Sequence, residues 1–504
     1  MSPPTDRTRL AHPTPGRWLR SLCAGLALLY IVTYVALALR RMGYPFELEW
    51  IEGAVLGQVQ RILHGQPLYV APALDYVPLN YTPLYFYVAA LVARFLGESF
   101  FALRLVSFLA SLGCFALIGG LVHRETRSGT AAVLAVGLFA ATYRAGGAWL
   151  DVGRADSLYL MLLLAGIAVL RIDPTRTRGP MIGGVLLTLA FLAKQSALVV
   201  AAPILLYTLI LNPRRLAVLA GTQLTLVAAT TWWLDWHTGG WYRYYVVDVG
   251  LGHAGHWGQV LHTWFRDPMP RLTVALLFAS FYFLMPRSTR RCGAAGFYGA
   301  VATGLVGSSW LLTAYPWAYA NVLIPAFAGL AILFGLAWQS LLEWCREGGP
   351  VVGPALARWV ALACVVQFTM LPYPPWRQLP TRADLRAGER LLEQIRIMPG
   401  RVLVTSHGYL VERAGKPGHF HAMPFLDVVL SRRAAGADAL LRSLRDSLRA
   451  GHWDYVVLDD RDPLRAEVQS FYEPSRFVFE DHPQTWMVTG LDIRPDMILV
   501  PRRR

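Results

Sequence analysis

The sequence predicts an α-helical polytopic membrane protein of about 11 transmembrane helices, followed by a small C-terminal extracytoplasmic α/β domain. Three observations predict it. Hydrophobic residues make up 55% of the 504-residue chain and charged residues only 16%, too apolar a balance for a soluble enzyme. Apolar runs of membrane length recur between short Arg clusters, as the positive-inside rule requires, so the net charge of +15 reads as topology and no nucleic-acid partner is expected. After Pro372 this pattern stops, and residues 373–504 have the composition of a soluble domain. Five Cys, at 23, 114, 292, 345 and 364, form no CxxC, so neither a disulfide framework nor a zinc site is supported.

Residues 1–17 are polar and basic and predict a cytoplasmic tail ahead of a membrane domain over 18–372. The first span, 18–40, is too long for a signal-peptide core and is expected to stay as an anchor running outward. Arg40 and Arg41 at its outer end oppose that direction, and the N-terminal Arg cluster outweighs them. The extracytoplasmic loop 41–81 opens with the acidic stretch from Phe46 to Gly53, carrying Glu47, Glu49 and Glu52. An amphipathic helix of about 12 residues follows, with Val55, Val59 and Ile62 on one side and Gly65 as its stop. Pro72, Pro78 and Pro83, interleaved with Tyr76, Tyr81, Tyr85 and Tyr87, describe an aromatic belt at headgroup level.

Next come apolar runs at 82–97, 101–122 and 130–148. The Arg-bearing loops 123–127 and 171–178 both look cytoplasmic, which holds only if 82–97 lies at the interface without crossing. Asp151 and Asp156 then return to the side of Glu52. The stretch 183–211 has Arg flanks at both ends and must go out and back, which puts Lys194 at the outer turn. A span over 216–235 leads to the second outer loop, 236–270, and four more spans follow at about 271–285, 294–313, 319–338 and 352–372. This places the N-terminus inside and the C-terminus outside. In the terminal domain, β-like runs at 401–406 and 453–458 each follow a helical pattern, and no GxGxxG or P-loop supports nucleotide binding.

Three carboxylates within six positions beside aromatic rings suggest chemistry. Glu52 near a helix N-terminus would stay ionised and could take a proton from an incoming hydroxyl; the plain alternative is an interfacial loop whose acids stay wet. Lys194 reads as an anion clamp or as a lysine snorkelling to the surface. His253 and His256 lie in a Gly-rich loop, a poor metal frame, and are expected to be solvated or to bind substrate. Tyr81, Tyr85 and Tyr245 are the rings placed to join them.

The order Glu52-Gly53, Gly65-Gln66-Pro67-Leu68-Tyr69, Tyr81-Thr82-Pro83-Leu84-Tyr85, Gly97-Glu98-Ser99 with Arg104, Arg154-Ala155-Asp156 and Ala190-Phe191-Leu192-Ala193-Lys194 resembles the GT-C superfamily of integral-membrane glycosyltransferases. The branch is that of the protein O-mannosyltransferases and the aminoarabinose transferase, over about residues 18–340. The resemblance implies transfer of a sugar from a polyprenyl-phosphate donor, usually with inversion, outside the cytoplasmic membrane of a bacterium. The acceptor would be a glycan, lipid or protein hydroxyl. The family's first-loop Asp-Glu pair falls on Ile51-Glu52, so its first acid is missing and Glu49 is the candidate replacement. Asp156 matches the acid of the Arg-x-Asp segment. The catalytic set is then Glu49, Glu52 and Asp156, with Lys194, Arg154 and Arg243 as donor-phosphate ligands. No cofactor is assigned, and a divalent metal stays open: a pair of acids could hold one, without diagnostic spacing.

Two other classes share this composition. A lipid-linked saccharide flippase would show internal repeats and broken mid-membrane helices, whereas no repeat is found and the acids cluster in outer loops. An O-antigen-type polymerase or ligase would depend on Arg and His in a large outer loop, and 236–270 is such a loop.

Overall fold

The apolar runs fold as helices whose ends alternate between two faces. The computed structural model describes residues 17–173, 175–285, 294–347, 349–479 and 487–502; the expected N-terminal tail and the cluster Arg287, Arg290 and Arg291 lie outside them. In chain order the helices are α1 (Arg17–Met42), α2 (Glu52–Leu63), α3 (Leu84–Leu96), α4 (Phe100–Thr126), α5 (Gly129–Ala141), α6 (Asp156–Ile172), α7 (Arg178–Ala193), α8 (Ala197–Leu211) and α9 (Pro213–His237). Apolar helices Thr273–Leu284, Ala294–Thr313, Ile324–Glu347 and Gly349–Thr369 complete the bundle. Among the described residues, five helices are long and apolar enough to cross a membrane and six shorter ones are apolar. The chain is a multi-pass membrane protein.

The central helix is Ile324–Glu347, buried along most of its length against α4, α5 and Ala294–Thr313. Ala and Gly at its contacts let backbones approach closely: a Cβ on Gly335 would crowd Val122 and Ala135. Large apolar side chains face outward on the periphery, among them Trp18, Val32, Ile210, Leu224, Trp232 and Trp359, as lipid contact requires.

Helix α3 begins and ends on one face. The Thr82 hydroxyl before it bonds the Phe191 carbonyl near the end of α7, and Glu98 after it pairs with His64 at the end of α2. At 13 residues it spans about 20 Å, short of the hydrocarbon thickness of about 30 Å. Tyr87, Leu91 and Phe95, at i, i+4 and i+8, form its exposed stripe.

The C-terminal segment forms a four-stranded sheet in the order β1-β2-β4-β3, with β1 (Val402–Val404), β2 (Tyr455–Asp459), β3 (Tyr472–Phe477) and β4 (Pro495–Pro501). β1 and β2 run parallel, joined through a helical crossover, and β4 is antiparallel to both of its neighbours. Helix Arg382–Ile397 starts with a capping box made by Thr381 and Asp384. β3 and β4 have no counterpart in the sequence reading: β3 is mostly exposed and polar, so its alternation is invisible. The first loop is built into this segment's core, where Phe46, Leu48 and Trp50 share one apolar cluster with Val402, Val456 and Leu499.

Candidate active site

Three acids of the first loop point three ways, and each meets a different cation. Glu52, the first residue of α2, is fully buried and chelated by Arg104, with Oε1 accepting from Nε at 3.0 Å and Oε2 from Nη2 at 2.7 Å. The same two oxygens accept from the Gly153 and Leu48 backbone N–H groups at 2.6 and 2.7 Å. Burial by itself raises this carboxyl, but Arg104 and the two amides outweigh it and hold Glu52 below the usual carboxylate range. Arg104 also donates to the carbonyls of Tyr44 and Phe46, both at 2.6 Å, and so fixes the loop that carries all three acids.

Glu47 turns into the C-terminal segment. Its Oε1 accepts from the Gly53 N–H at 2.8 Å and its Oε2 lies 2.6 Å from His407 Nδ1. Gly53 is required here, because a Cβ would collide with Glu47 Oε1 and the Tyr409 ring. His407 Nε2 sits 3.4 Å from Asp459 Oδ1. Burial pushes Glu47 up to about 8 against the pull of His407. His407 rises to about 10, because Asp459 and Glu47 together overcome burial.

Glu49 is the acid left open. Its Oε2 accepts from Arg154 Nη1 at 2.8 Å, while Oε1 is buried with no hydrogen-bond partner. Burial pushes its carboxyl up to about 7, with Arg154 opposing. The irregular segment 487–490 ahead of β4 covers it: Val488 and Thr489 N–H donate to the Leu48 carbonyl, and Gly490 lies against Glu49 with φ +89°. A Cβ at 490 would stand 2.8 Å from Glu49 Cγ, so glycine serves both the left-handed turn and the close approach.

Beside Glu49 runs a wall of rings and charges. Arg154 Nη2 donates to the Tyr81 hydroxyl at 3.0 Å, and the guanidinium lies 5.5 and 5.4 Å from the Tyr81 and Trp149 ring centres. Trp149 Nε1 donates to Asp156 Oδ2 at 3.0 Å. Asp156 Oδ1 accepts from Lys194 Nζ at 2.6 Å and Asn321 Nδ2 at 3.1 Å. A small cavity opens beside this pair, lined by Asp156, Tyr159, Lys194, Asn321 and Pro325. No three His, Cys, Asp or Glu among the described residues are grouped to hold a metal ion; each of the three site carboxylates faces a cation of the chain.

The structure thus joins Glu49, Arg154, Tyr81, Asp156 and Lys194. It sets others apart. Glu52 has both oxygens saturated, so it is an anchor and cannot also receive a substrate proton without giving up Arg104 or an amide. Arg243 is exposed at the end of the short helix Trp241–Arg243 after α9 and contacts none of these acids. Tyr85 is buried and its hydroxyl donates to the Leu103 carbonyl, facing α4. Tyr245 is buried in a ring cluster with Tyr69 and Tyr244, and His256 is exposed while His253 is enclosed. Arg104, Trp149, Asn321 and His407 were outside the sequence-derived set. Arg104 had a readable signal, the one charge in the apolar run 101–122; His407 had none.

Residues 80–234, which contain Arg104, Arg154, Asp156 and Lys194, match the family model described as dolichyl-phosphate-mannose-protein mannosyltransferase. The chain has a GT-C fold. ArnT from Cupriavidus metallidurans bound to undecaprenyl phosphate superposes with a TM-score of 0.59 at 12% identity, over 94% of this chain and 98% of that one. The oligosaccharyltransferase AglB from Archaeoglobus fulgidus, in complex with an inhibitory peptide and a dolichol-phosphate, gives 0.55 at 12% identity, over 88% of this chain and 70% of that one. No curated protein sequence matches the chain. The acidic loop precedes the matched region, so the family match says nothing of its carboxylates.

The Glu47–His407 pair welds the C-terminal segment to that loop, and its loss has a measurable consequence. Replacing His407 with Gln is expected to lower stability by about 3–5 kcal/mol, because a buried partner is left uncompensated. Thermal unfolding in detergent reads this. His407 binds its proton more tightly folded than unfolded, from its ordinary value of 6.5 up to about 10, so its contribution is complete below 6.5 and lost as pH rises through about 10. Wild type should therefore lose more stability than the Gln variant between pH 7 and 10.

Proposed function

We propose that this protein is a glycosyltransferase that moves a sugar from a polyprenyl-phosphate donor to an acceptor hydroxyl at the outer face of the cytoplasmic membrane, with inversion. The observation that carries this is Glu49: a buried carboxylate with one oxygen unpartnered, pushed up to about 7, in a GT-C fold. Glu49 Oε1 takes the acceptor's proton as the acceptor oxygen bonds the sugar's anomeric carbon. The bond from that carbon to the phosphate oxygen breaks, and polyprenyl phosphate leaves with the electron pair.

Positive charge must meet the departing phosphate. Lys194 spends one N–H on Asp156 and keeps two for the phosphate, next to the small cavity. Arg154 balances Glu49 and holds its direction, while Asp156 holds Lys194 and Trp149 in place. The apolar periphery gives the polyprenyl tail a lipid-facing path, and the C-terminal segment closes the site from the aqueous side.

The experiment is reconstitution of the purified protein in proteoliposomes with polyprenyl-phosphate sugars, following release of polyprenyl phosphate. Turnover that is stimulated by a hydroxyl acceptor supports the reading; transport of intact lipid-linked sugar without cleavage would replace it with the flippase. Lys194→Met is expected to weaken the donor by about 10–100-fold, the worth of a charge-assisted hydrogen bond, read in the donor KM.

A further inference from the structure

The open acid of the site is also shut in. Glu49 is fully buried, so its unpartnered Oε1 is out of reach of any incoming hydroxyl until something around it moves. Of the elements that enclose it, the acidic loop is tied down by Arg104, which binds Glu52 and the Tyr44 and Phe46 carbonyls. Arg154 is held on two sides, by Glu49 itself and by the Tyr81 hydroxyl. The third element is the irregular segment 487–490. A Cβ on Gly490 would stand 3.3 Å from Glu49 Oε1 and 3.4 Å from the Trp50 ring, so this backbone passes against the open oxygen.

That segment is the most weakly held of the three. It lies outside the strands of the sheet, and its Val488 and Thr489 N–H groups share one acceptor, the Leu48 carbonyl, at 3.1 Å each. The Thr489 hydroxyl donates to the Gly147 carbonyl and lies 3.3 Å from the Tyr319 hydroxyl. Among the described residues these are its hydrogen bonds, and none involves a charge. Those of Arg104 and Arg154 do, and charge-assisted bonds are roughly twice as strong. Short irregular segments with few bonds open at the low end of a protein's stability range. The Thr489 contact also leads toward the donor side: Tyr319 and Trp149 have ring centres 5.1 Å apart, and Trp149 donates to Asp156, the partner of Lys194.

We propose that residues 487–490 form a strap that lifts to admit the acceptor to Glu49, and that Thr489 is its latch, a positioning residue bound to the Gly147 carbonyl beside Tyr319. This rests on the glycosyltransferase reading and assigns the acceptor its route of entry. Closed, the strap keeps water away from the base and the donor. Lifted, it uncovers Oε1 from the side of the C-terminal segment while Arg104 still holds the acidic loop in place.

The test uses the full chain in nanodiscs and a small carbodiimide, which adds to protonated carboxyls and reads access to Glu49 with no sugar present. Glu47, in the same loop but bound to His407, is the internal reference, and tandem mass spectrometry follows each acid separately. Thr489→Val keeps the shape and removes the hydroxyl. It is expected to raise labelling of Glu49 relative to Glu47 by about 2–10-fold, the worth of one buried hydrogen bond, and Thr489→Ser should restore the wild-type rate. In wild type, the amides of Val488 and Thr489 should exchange their hydrogens about tenfold or more faster than those of Ile498 and Leu499 in β4; this measurement decides even where Thr489→Val fails to fold. With a lipid donor present, Thr489→Val should shift the products from transfer toward cleavage by water. Equal Glu49 labelling in wild type and Thr489→Val overturns the proposal, as does a Thr489→Ser protein that labels like Thr489→Val. So does labelling that rises alike at Glu47 and Glu49, or exchange at 488 and 489 as slow as in β4. A strap that lifts in a protein that never cleaves a lipid donor upholds the strap and overturns the glycosyltransferase reading instead.

Discussion

Glu49→Gln is expected to lower sugar transfer by about 10²–10⁴-fold, the usual worth of a positioned base, with donor binding and folding preserved. The amide keeps the volume of the side chain and an oxygen for Arg154 Nη1, now 2.8 Å from Oε2, but cannot accept the acceptor's proton. The wild-type rate should rise with pH through about 7, since the carboxylate is the active form and burial sets its titration there. Glu49→Asp should keep measurable turnover and move the acid limb, whereas Glu49→Gln should remove that limb. Glu52→Gln serves as the contrast. Its defect should appear in folding and yield, because the carboxylate it loses is bound to Arg104 and two backbone amides. Normal transfer by Glu49→Gln, with loss confined to a well-folded Glu52→Gln, would reverse the assignment.

The helices were legible because membrane spans announce themselves by length and the loops between them by charge. Placing 82–97 at the interface followed from Arg counting alone, and the contacts of Thr82 and Glu98 put both ends of α3 on one face. Arg41 shows where counting misleads: it reads as a topology charge opposing the positive-inside rule, yet it is buried and bound to Asp151 through Nη2 at 2.9 Å, so it belongs to the interior. Which acid stays open could not be read locally. Glu47, Glu49 and Glu52 have similar neighbours in the chain, and they are told apart by His407, Arg154 and Arg104, which are 360, 105 and 52 positions away.

Arg104→Met should be the most destabilising single change in the molecule, costing about 3–5 kcal/mol. Methionine fits the apolar surroundings in volume, yet it strands Glu52 without its cation and releases the Tyr44 and Phe46 carbonyls, each now held at 2.6 Å. The stranded carboxyl would take up a proton, and the loop that aims Glu49 would lose its clamp. Adding Glu52→Gln to Arg104→Met removes the buried charge along with its partner, so the double variant should recover part of the loss, with a coupling of about 0.5–3 kcal/mol. Thermal unfolding of the four proteins in one detergent measures that cycle. Activity follows the same order in this account, because Arg104 acts on the reaction only by holding the loop. A stable Arg104→Met protein with wild-type unfolding and no turnover would place the guanidinium on the substrate instead.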